Sequence, residues 1–396
     1  MKFTTNRGLM FDYLKSMIHI VMDISPIKEL CGFLIEANED EGYVYITASN
    51  IETSIQRKVQ ARVEEGGSFV MDAKFLVGVL GRLSGNDVIF KDIKKGYVQI
   101  KSGKCTYERA ALDAANFPKI EIPFPDDLIP IRCIRQLYNG THYVSGTEKN
   151  MNSMSGIHVE ITSNSIKAFG CNGVSLSVVE DNLNTGKNAS FTLSKKAFSQ
   201  LVSAIDDNDL LQVGFCNNSA VFIKHEMVFM TKVLQYEFAN VQKLLDSISP
   251  VYTAKLEYDD MKNEISNMFN LSMAGKEKSY IKCTFKEHEI ELETENDVCS
   301  TKASIPCVLV GDAAEYTFYY SSKNLKNILS MITGTMVLRL DKRGYLLIFN
   351  RMNKYMTTPV SSQLVAAKEK KIAAVKSGES VKQVKKKKSK EPQKAA

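Results

Sequence analysis

The sequence predicts an α+β protein that contains three copies of one domain, and two observations carry this prediction. The first is a pattern of strand, helix and strand that returns in the same order at 68–90, 190–213 and 317–340. In each copy a lysine follows an aromatic residue by about five places, and Lys74, Lys196 and Lys323 recur roughly every 120 to 130 residues. So long a period indicates repeated domains rather than a solenoid.

The second observation is a set of landmarks that keep the same phase in every copy. Before each helix an alternating strand closes on an asparagine, at Asn50, Asn172 and Asn296. After each helix a further strand is predicted, at 96–101, 220–224 and 344–349. Together with an amphipathic helix near the start of each copy, these landmarks predict two helices and two small β-meanders per domain.

The elements can be placed in order along the chain. The opening helices of the three copies are predicted at 8–21, 131–144 and 259–273, where apolar residues recur at helical spacing. A proline-rich stretch ends the first copy and Ser249-Pro250 ends the second, since proline cannot donate to a sheet ladder. The predicted domains are therefore 1–122, 128–250 and 251–362, followed by a tail at 366–396.

Charge is distributed unevenly along the chain. The net charge is +6, and residues 366–396 hold eleven lysines against three glutamates, so the remainder carries about −2. The tail lacks aromatic residues and is expected to be disordered. No run approaches the roughly 18 apolar residues of a membrane span, and the first residues lack an apolar signal core. We therefore expect a cytoplasmic protein with no membrane partner.

Residues with catalytic or metal-binding potential are scattered. The five histidines show no HxH or HExxH spacing, and the eight cysteines form no CxxC pair. No nucleophile motif such as GxSxG is present either. These patterns predict a binding scaffold with no catalytic residue, no metal and no cofactor.

Basic residues concentrate on the predicted helices, although the body of the chain is slightly acidic. A lysine near the start of one helix in every copy runs against the helix dipole, which favours acids there. Shared basic helices indicate a surface that binds a polyanion through its phosphates without reading sequence. The candidates are Lys15, Lys74, Arg82, Arg132, Arg135, Lys195, Lys196, Lys262, Lys323 and Lys326.

At this point the residues resemble a known family, the bacterial sliding clamp or β subunit of DNA polymerase III, over roughly residues 1 to 360. The family's first domain is resembled by the opening MKFT, by Ala73-Lys74-Phe75 and by the segment 114–118. Its second domain is resembled by Cys171-Asn172-Gly173 followed by Leu176, and its last strand by residues 355–359. The resemblance implies three clamp domains per chain and a head-to-tail homodimeric ring. Helices would line a hole that holds double-stranded DNA, while a polymerase stays tethered to the ring.

The resemblance also implies two sites on each chain. The dimer interface would use Lys74, Tyr107, Arg109, Asn270 and Leu271. A groove for linear peptides from the DNA polymerase, the clamp loader and repair proteins would use Cys171, Gly173, Val174, Ser175, Leu176, Ala239, Lys243, Leu244, Thr358, Pro359 and Val360. Several of these positions depart from the family pattern, notably Arg109, Asn270, Val174, Ser175, Ala239 and Thr358, so a partner peptide of altered sequence is expected.

Two alternatives to a processivity clamp remain open. A clamp paralogue from a phage or mobile element would serve as an interaction platform or decoy, and the altered interface and groove favour it. An unrelated DNA-modifying enzyme is disfavoured because no acid, base or metal cluster is present. The basic tail, which the family lacks, is either a solvated extension or an arm that adds salt-dependent attachment to DNA.

Overall fold

The structure is a computed structural model that describes residues 1–94, 96–118, 120–146, 153–207, 209–272, 280–296, 300–311 and 315–376. Its helices are α1 (Arg7–Met17), α2 (Ala73–Leu80), α3 (Ile134–Asn139), α4 (Lys195–Ser203), α5 (Val241–Asp246), α6 (Tyr258–Ser272), α7 (Ser322–Leu329) and α8 (Ser362–Lys376), with 3-10 turns at Lys28–Cys31 and Ala114–Asn116.

Most of these helices are separated by runs of three to five strands. In the first repeat they are β1 (Lys2–Asn6), β2 (Gly32–Asn38), β3 (Tyr43–Ser49), β4 (Thr53–Glu65), β5 (Gly67–Asp72), β6 (Asp87–Lys94), β7 (Tyr97–Ser102) and β8 (Cys105–Ala110). In the second they are β9 (Ile129–Ile131), β10 (Ile157–Ile161), β11 (Ser165–Cys171), β12 (Ser175–Asn182), β13 (Ala189–Leu193), β14 (Leu211–Cys216), β15 (Ser219–Lys224) and β16 (Met227–Lys232). In the third they are β17 (Pro250–Leu256), β18 (Tyr280–Phe285), β19 (Glu289–Glu295), β20 (Ser300–Pro306), β21 (Val308–Leu309), β22 (Tyr316–Ser321), β23 (Met336–Asp341), β24 (Leu346–Asn350) and β25 (Asn353–Thr357).

The repeated strand, helix and strand stretch is present in all three copies, as β5-α2-β6, β13-α4-β14 and β22-α7-β23. One local device starts each helix: the residue before it accepts a hydrogen bond through its side chain from the third helical N–H. The three caps are Asp72, Ser194 and Ser321. The predicted α+β class with repeated units is therefore confirmed.

The opening helices differ from their predicted bounds mainly in the second repeat. The helix predicted at 131–144 is only Ile134–Asn139, because Ile131 still belongs to β9, which pairs with β14. Cys133 has a φ of 61°, a left-handed conformation that separates the strand from the helix. After Asn139 the chain turns, and the carbonyl of Thr141 accepts from the N–H groups of Val144 and Ser145. Arg132 thus precedes the helix instead of lying on it.

The chain forms two compact units, which do not coincide with the three repeats. The first comprises Met1–Tyr138, Gly156–Ile166 and Asn182–Glu237, and the second comprises Asn139–Ser155, Lys167–Asp181 and the chain from Phe238 onward. The second repeat contributes to both units because its strands pair with those of the other two repeats. The limits 122, 128, 250 and 251 stay predictions about repeats.

One twelve-stranded antiparallel sheet contains most strands of the first unit. Its path is β8-β7-β6-β1-β4-β16-β15-β14-β9, and β3, β2 and β5 extend it from β4. The long strand β4 makes this possible, since Thr53–Arg57 pairs with β16 while Ala61–Glu65 pairs with β1. Backbone hydrogen bonds therefore join the first and second repeats.

The second unit contains two sheets around one core. One follows the path β12-β25-β24-β23-β17-β21, and the other has the order β20-β19-β18-β22. Helices α6 and α7 bury apolar side chains against the four-stranded sheet. That core includes Met261, Ile265, Met268, Leu325, Ile328, Ile281, Cys283, Leu292 and Tyr320.

The tail departs from the prediction of disorder. Residues 362–376 form α8, and only the segment from Ser377 onward lies outside the described residues. Alanine, lysine and glutamate are good helix formers, and Val365 and Ile372, two turns apart, are buried against the four-stranded sheet. In the described part of the chain, no helix has the length and apolar character needed to cross a membrane.

Candidate DNA-facing helices, strand edges and peptide groove

Most of the predicted basic residues of the first unit are exposed, as a phosphate-binding surface requires. Lys15 lies on α1, Arg82 follows α2, Arg132 precedes α3 and Lys196 lies in the first turn of α4. Lys195 beside it is half-buried. Lys74 is exposed, but its Nζ lies 2.7 Å from the Asp23 carboxylate, and this ion pair raises the pKa of Lys74. Its charge is therefore partly neutralised locally.

Arg135 serves a structural purpose that the sequence did not reveal. Its guanidinium donates to the carbonyl oxygens of Val202, at 2.9 Å, and Ile205, and it forms an ion pair with Asp207. These carbonyls lie at the end of α4, where unpaired acceptors and the negative pole of the helix dipole attract a cation. Its Nη2 group is thus engaged at the end of α4, and its charge is paired with Asp207.

A second arginine reaches the same helix end from the first repeat. Arg57 on β4 is only 8% exposed; it donates to the carbonyl of Ala204 and lies 4.4 Å from the ring centre of Tyr13 on α1. Burial is the main influence on its guanidinium and lowers the pKa of Arg57. In addition, Gln200 Nε2 of α4 donates to the His19 carbonyl at 2.7 Å. The helices of the two repeats are thus tied together by polar contacts.

The basic residues of the second unit lie on α6 and α7. Lys323 is exposed at the start of α7, and Lys262 is exposed on α6 with its Nζ 4.9 Å from the Tyr258 ring centre. Lys326 is half-buried, with its Nζ 4.0 Å above the ring of Phe269. Lys323 is consequently the least engaged of these three cations.

The repeats are joined by one rule: the fourth strand of a repeat pairs with the last strand of the next repeat. β4 pairs with β16 in the first unit, and β12 pairs with β25 in the second. The same hydroxyl pair marks both joints. Thr53 faces Thr231 with 3.0 Å between the Oγ1 atoms, and Ser175 Oγ donates to Thr357 Oγ1 at 3.1 Å.

This rule leaves two strands with one unpaired edge each. Among the strands that the structure describes, β20, the fourth strand of the third repeat, pairs only with β19, and β8, the last strand of the first repeat, pairs only with β7. Five of the six residues of β8 are exposed. Unpaired edges of this kind are open to pairing with another chain.

The predicted interface residues lie on and beside these edges. On the first repeat Tyr107 is half-buried on β8, and the guanidinium of Arg109 stacks 4.8 Å from the ring centre of Phe75, next to Lys74. On the third repeat Asn270 is exposed on α6, the helix that also contains Leu271. Each face therefore presents an aromatic ring covered by a cation, Phe75 by Arg109 and Phe269 by Lys326. Neither stack is marked by a pattern in the sequence.

The predicted groove residues come together within the second unit. Asn172 closes a turn after β11 by accepting from the N–H groups of Val174 and Ser175 through its side chain, and Gly173 takes a φ of 82° that suits glycine. β12 then pairs with β25, and the Thr358 N–H donates to the Val174 carbonyl at 2.9 Å. Residues 171–176 and 357–360 are thereby neighbours.

A short helix completes this region. Val241 and Leu245 of α5 are buried in one cluster with Phe169, Cys171 and Leu176, whereas Lys243 and Leu244 on the other side of the helix are exposed. Ala239 is half-buried just before the helix, and its N–H donates to the Ser153 carbonyl at 2.7 Å. Packing of α5 therefore fixes the positions of Lys243 and Leu244.

The groove residues divide into a floor and a rim. Cys171, Ser175 and Leu176 are buried, so they support the surface from below, and burial raises the pKa of the Cys171 thiol. Val174 is 45% exposed and Leu244 is 37% exposed, while Thr358, Pro359 and Val360 are half-buried. Within the described ranges no cluster of three metal-binding side chains is found.

Comparison with known proteins agrees with this architecture. Residues 1–121 match the family described as "DNA polymerase III beta subunit, N-terminal domain". The β sliding clamp of Staphylococcus aureus is 22% identical over 272 residues, 66% of this chain and 71% of the relative, and that of Staphylococcus epidermidis is 22% identical over 256 residues, 62% of this chain and 67% of the relative. The chain is thus similar to β sliding clamps at low identity, and its first 121 residues match the first domain of that family.

Solved structures show that the clamp fold extends over most of the chain. A putative DNA polymerase III β subunit from Eubacterium rectale superposes with a TM-score of 0.83 at 17% identity, covering 91% of this chain and 100% of that one. The β subunit from Streptococcus pyogenes gives a TM-score of 0.82 at 17% identity with the same coverage. The relatives and the solved structures are named as β sliding clamps or β subunits of DNA polymerase III.

Proposed function

We propose that this clamp closes as a head-to-tail homodimer around double-stranded DNA and tethers a replicative polymerase for processive synthesis. The observation that carries the proposal is the complementary pair of unpaired edges. Because every internal joint pairs a fourth strand with a last strand, the same rule pairs β20 of one chain with β8 of another. Two copies related by a twofold axis pair both of these edges.

The internal joints also supply the register of this pairing. The fifth residue after the turn asparagine faces an aromatic residue in both joints, Ile55 facing Phe229 and Ser177 facing Tyr355. The hairpin of the third repeat has the same length as that of the first. Thr294 and Thr301 pair across Asn296 at the same distances in sequence as Ala48 and Ile55 pair across Asn50. The fifth residue after Asn296 is Thr301, and the equivalent aromatic residue on β8 is Tyr107. Thr301 is therefore expected opposite Tyr107.

Exposed lysines on the helices support binding to DNA without sequence recognition. Lys15 is exposed on the opening helix α1 of the first repeat, and Lys196 and Lys323 are exposed at the starts of the equivalent helices α4 and α7 of the other two repeats, so each is able to contact a phosphate. A closed ring holds DNA topologically, so these contacts can stay weak and exchange as the clamp moves. Further cations on or beside the helices would add to the positive potential, although some of them already contact a carboxylate or an aromatic ring. They are Arg82, Arg132, Lys74, Lys195, Lys262 and Lys326.

The rim of Val174, Leu244, Pro359 and Val360 supports a groove for a linear peptide from a polymerase, a clamp loader or a repair protein. Lys243 would contribute a positive charge beside it. Ala239 and Ser175 depart from the family pattern, so we expect a peptide preference of its own. Selection from a displayed peptide library measures this preference, and recovery of the family's usual sequence at its usual affinity would contradict the expectation.

One observation favours the alternative of a paralogue that acts as a platform. At the faces that would close the ring, Arg109 and Lys326 each cover an aromatic ring, and Asn270 is polar. A less apolar interface predicts a ring that dissociates more readily than those of relatives. The hypothesis of a platform requires a monomer at working concentrations, whereas the hypothesis of a processivity clamp requires a dimer.

The clamp proposal also includes a cytoplasmic location and the repeat limits 1–122, 128–250 and 251–362.

The test combines the mass in solution with retention on DNA. Light scattering should give twice 44.3 kDa, and protein loaded on nicked circular DNA should stay bound until the circle is cut. K15Q/K196Q/K323Q should weaken DNA binding with a salt slope reduced by about 0.9 per lost contact. The matched variant K232Q/K255Q/K342Q changes three exposed lysines outside the helices and should behave like the parent. A monomer held equally by circular and linear DNA would refute the clamp.

A further inference from the structure

The helix α8 is anchored at strand β22, at one end of the four-stranded sheet. After β25 the Val360 N–H donates to the Tyr319 carbonyl at 2.7 Å, which brings the chain to β22. Within α8, Glu369 accepts from the Tyr319 hydroxyl at 3.2 Å, and the Lys368 Nζ lies 5.3 Å from the ring centre of Tyr280 on β18. The middle of the helix therefore lies over β22 and β18.

The second half of α8 reaches β20, the strand at the other end of this sheet. The strand order is β20-β19-β18-β22, and neighbouring strands are about 4.8 Å apart, so β20 lies about 10 Å beyond β18. The seven residues that follow Glu369 in α8 add about 10 Å of helix. Among them Ile372 is buried, and it lines a cavity of about 260 Å³ together with Ser300 and Lys302 of β20. The helix therefore ends close to the strand that would meet a second chain.

This contact lies on the face of the sheet opposite to α6 and α7. Lys302 pairs with Glu293 on β19, and both line the cavity under α8. Leu292, next to Glu293 in sequence, belongs to the core that contains α6 and α7. Side chains alternate between the two faces of a strand. We call the face under α8 the outer face and the face under α6 and α7 the inner face.

The proposed ring joint continues the outer face onto strand β8 of the partner subunit. With Thr301 opposite Tyr107 of the partner subunit, antiparallel pairing places Ser300 opposite Glu108 of the partner subunit. On β8, Tyr107 pairs with the buried Ile100 and so belongs to the inner face, as Thr301 does. Glu108, the next residue, is exposed on the outer face. The two inner faces and the two outer faces therefore match across the joint.

Opposite charges approach each other on the outer face of this joint. Lys371 is exposed and follows Lys368 by three residues, so the two lysines lie on the same side of α8. Three residues advance the helix by about 4.5 Å, close to one strand spacing. Because Lys368 lies over Tyr280 of β18, Lys371 lies closer to β20 and thus to Glu108 of the partner subunit. A lysine and a glutamate in this arrangement attract each other.

We propose that α8 forms an outer layer of the ring joint, in which Lys371 of one chain pairs with Glu108 of the partner subunit. The inference rests on the proposed function, because it takes the ring and the register of β20 and β8 from it. A closed dimer has two joints, so each ring would gain two such contacts. The outer layer would add a salt-dependent attraction to an inner interface that contains the polar Asn270.

The experiment exchanges the two charges between chains. Glu108→Lys and Lys371→Glu should each raise the dissociation constant of the dimer roughly 2- to 25-fold, because both joints then hold like charges. When the two variants are mixed, a mixed dimer holds opposite charges at both joints. Random exchange makes about half of the dimers mixed, and we expect at least about two thirds, since an exposed ion pair changes an equilibrium by about 1.4-fold or more. Native mass spectrometry of chains with different isotope labels measures this fraction.

Two controls separate a contact between chains from damage to the fold. E108K/K371E restores opposite charges and should regain the dissociation constant of the parent. Glu52→Lys changes an exposed carboxylate between β3 and β4, and its mixture with Lys371→Glu should stay at about half mixed dimers.

The outcomes also distinguish this inference from the clamp proposal. A dimeric parent with about half mixed dimers in both mixtures would overturn the inference and leave the clamp proposal standing, because Lys371 would then act within its own chain. A parent that is a monomer by light scattering would refute the clamp proposal, and the outer layer with it.

Discussion

Ala303→Cys should link two chains through the native thiol of Cys105. In the β4 and β16 joint, the seventh residue after the turn asparagine is Arg57, which faces Met227. The equivalent residues at the open edges are Ala303 on β20 and Cys105, which is exposed on β8. A single substitution therefore places two cysteines face to face across the proposed ring interface.

The distances follow from the hydrogen bonds of that joint. The Lys58 N–H donates to the Glu226 carbonyl at 2.8 Å and the Lys232 N–H donates to the Glu52 carbonyl at 3.0 Å. Bonded and non-bonded pairs alternate in an antiparallel ladder, so Arg57 and Met227 form a non-hydrogen-bonded pair, for which the Cα atoms are about 4.5 Å apart. This separation lies within the roughly 4.4 to 6.8 Å that a disulfide requires.

The assay is mild oxidation followed by electrophoresis without reductant. A closed pair of chains gives one product of twice 44.3 kDa, whereas an open head-to-tail assembly gives a ladder of multiples. Thr301→Cys is the matched control, because it lies on the same face of β20 but diagonally from Cys105, about 7 to 8 Å away. C105S/A303C removes the native partner thiol. Cross-linking of T301C as fast as A303C, or of A303C no faster than C105S/A303C, would refute the register.

Three further predictions concern the groove, the core and α8. Leu244→Ala should weaken binding of library-selected peptides roughly two- to fivefold, because about a third of a leucine's burial energy is lost. The control is Leu210→Ala, which changes an exposed leucine in the first unit and should leave binding unchanged. Equal effects of the two substitutions would exclude the groove. Burial raises the pKa of Tyr355 to about 12, so its contribution to stability is complete below pH 10 and falls as the pH rises from about 10 to 12, by up to roughly 3 kcal/mol. Denaturant unfolding of Tyr355→Phe should show a weaker loss over that range, and an unchanged loss would contradict this. Ile372→Ala should speed amide exchange in α8 roughly 30-fold through the loss of about 2 kcal/mol of burial, and an unchanged rate would show that the helix is held by other contacts.

The repeat architecture was predictable because it rests on local signals that occur three times. A capping side chain, an apolar helix face and an asparagine turn are each encoded within a few residues, and their common phase exposes the triplication. The length of α3 was not predictable in this way, because Ile131 joins a strand whose partner, Leu211, is distant in sequence. Strand pairing over such separations is not marked in the local sequence.

The sequence predicts which types of side chain belong to the candidate sites, but not which of them already make contacts within the protein or are buried. The sequence identified Arg135 as a helix cation, but only the structure shows that its donors are used by the end of α4. Likewise, Leu176 appeared to offer apolar contact, yet it is fully buried beneath the rim formed by residues such as Val174. The sequence does not predict α8 because a lysine-rich composition indicates disorder, although its helix-forming residues and the spacing of Val365 and Ile372 are signals against disorder.

Arg57 has a consequence for how the chain meets DNA. Its guanidinium lies between Tyr13 of α1 and the carbonyl end of α4, so packing fixes the spacing between these two helices independently of the linker that connects the repeats. Lys15 and Lys196 are carried by the same two helices. In the proposed clamp, these two lysines would therefore keep a fixed separation while the DNA moves past them.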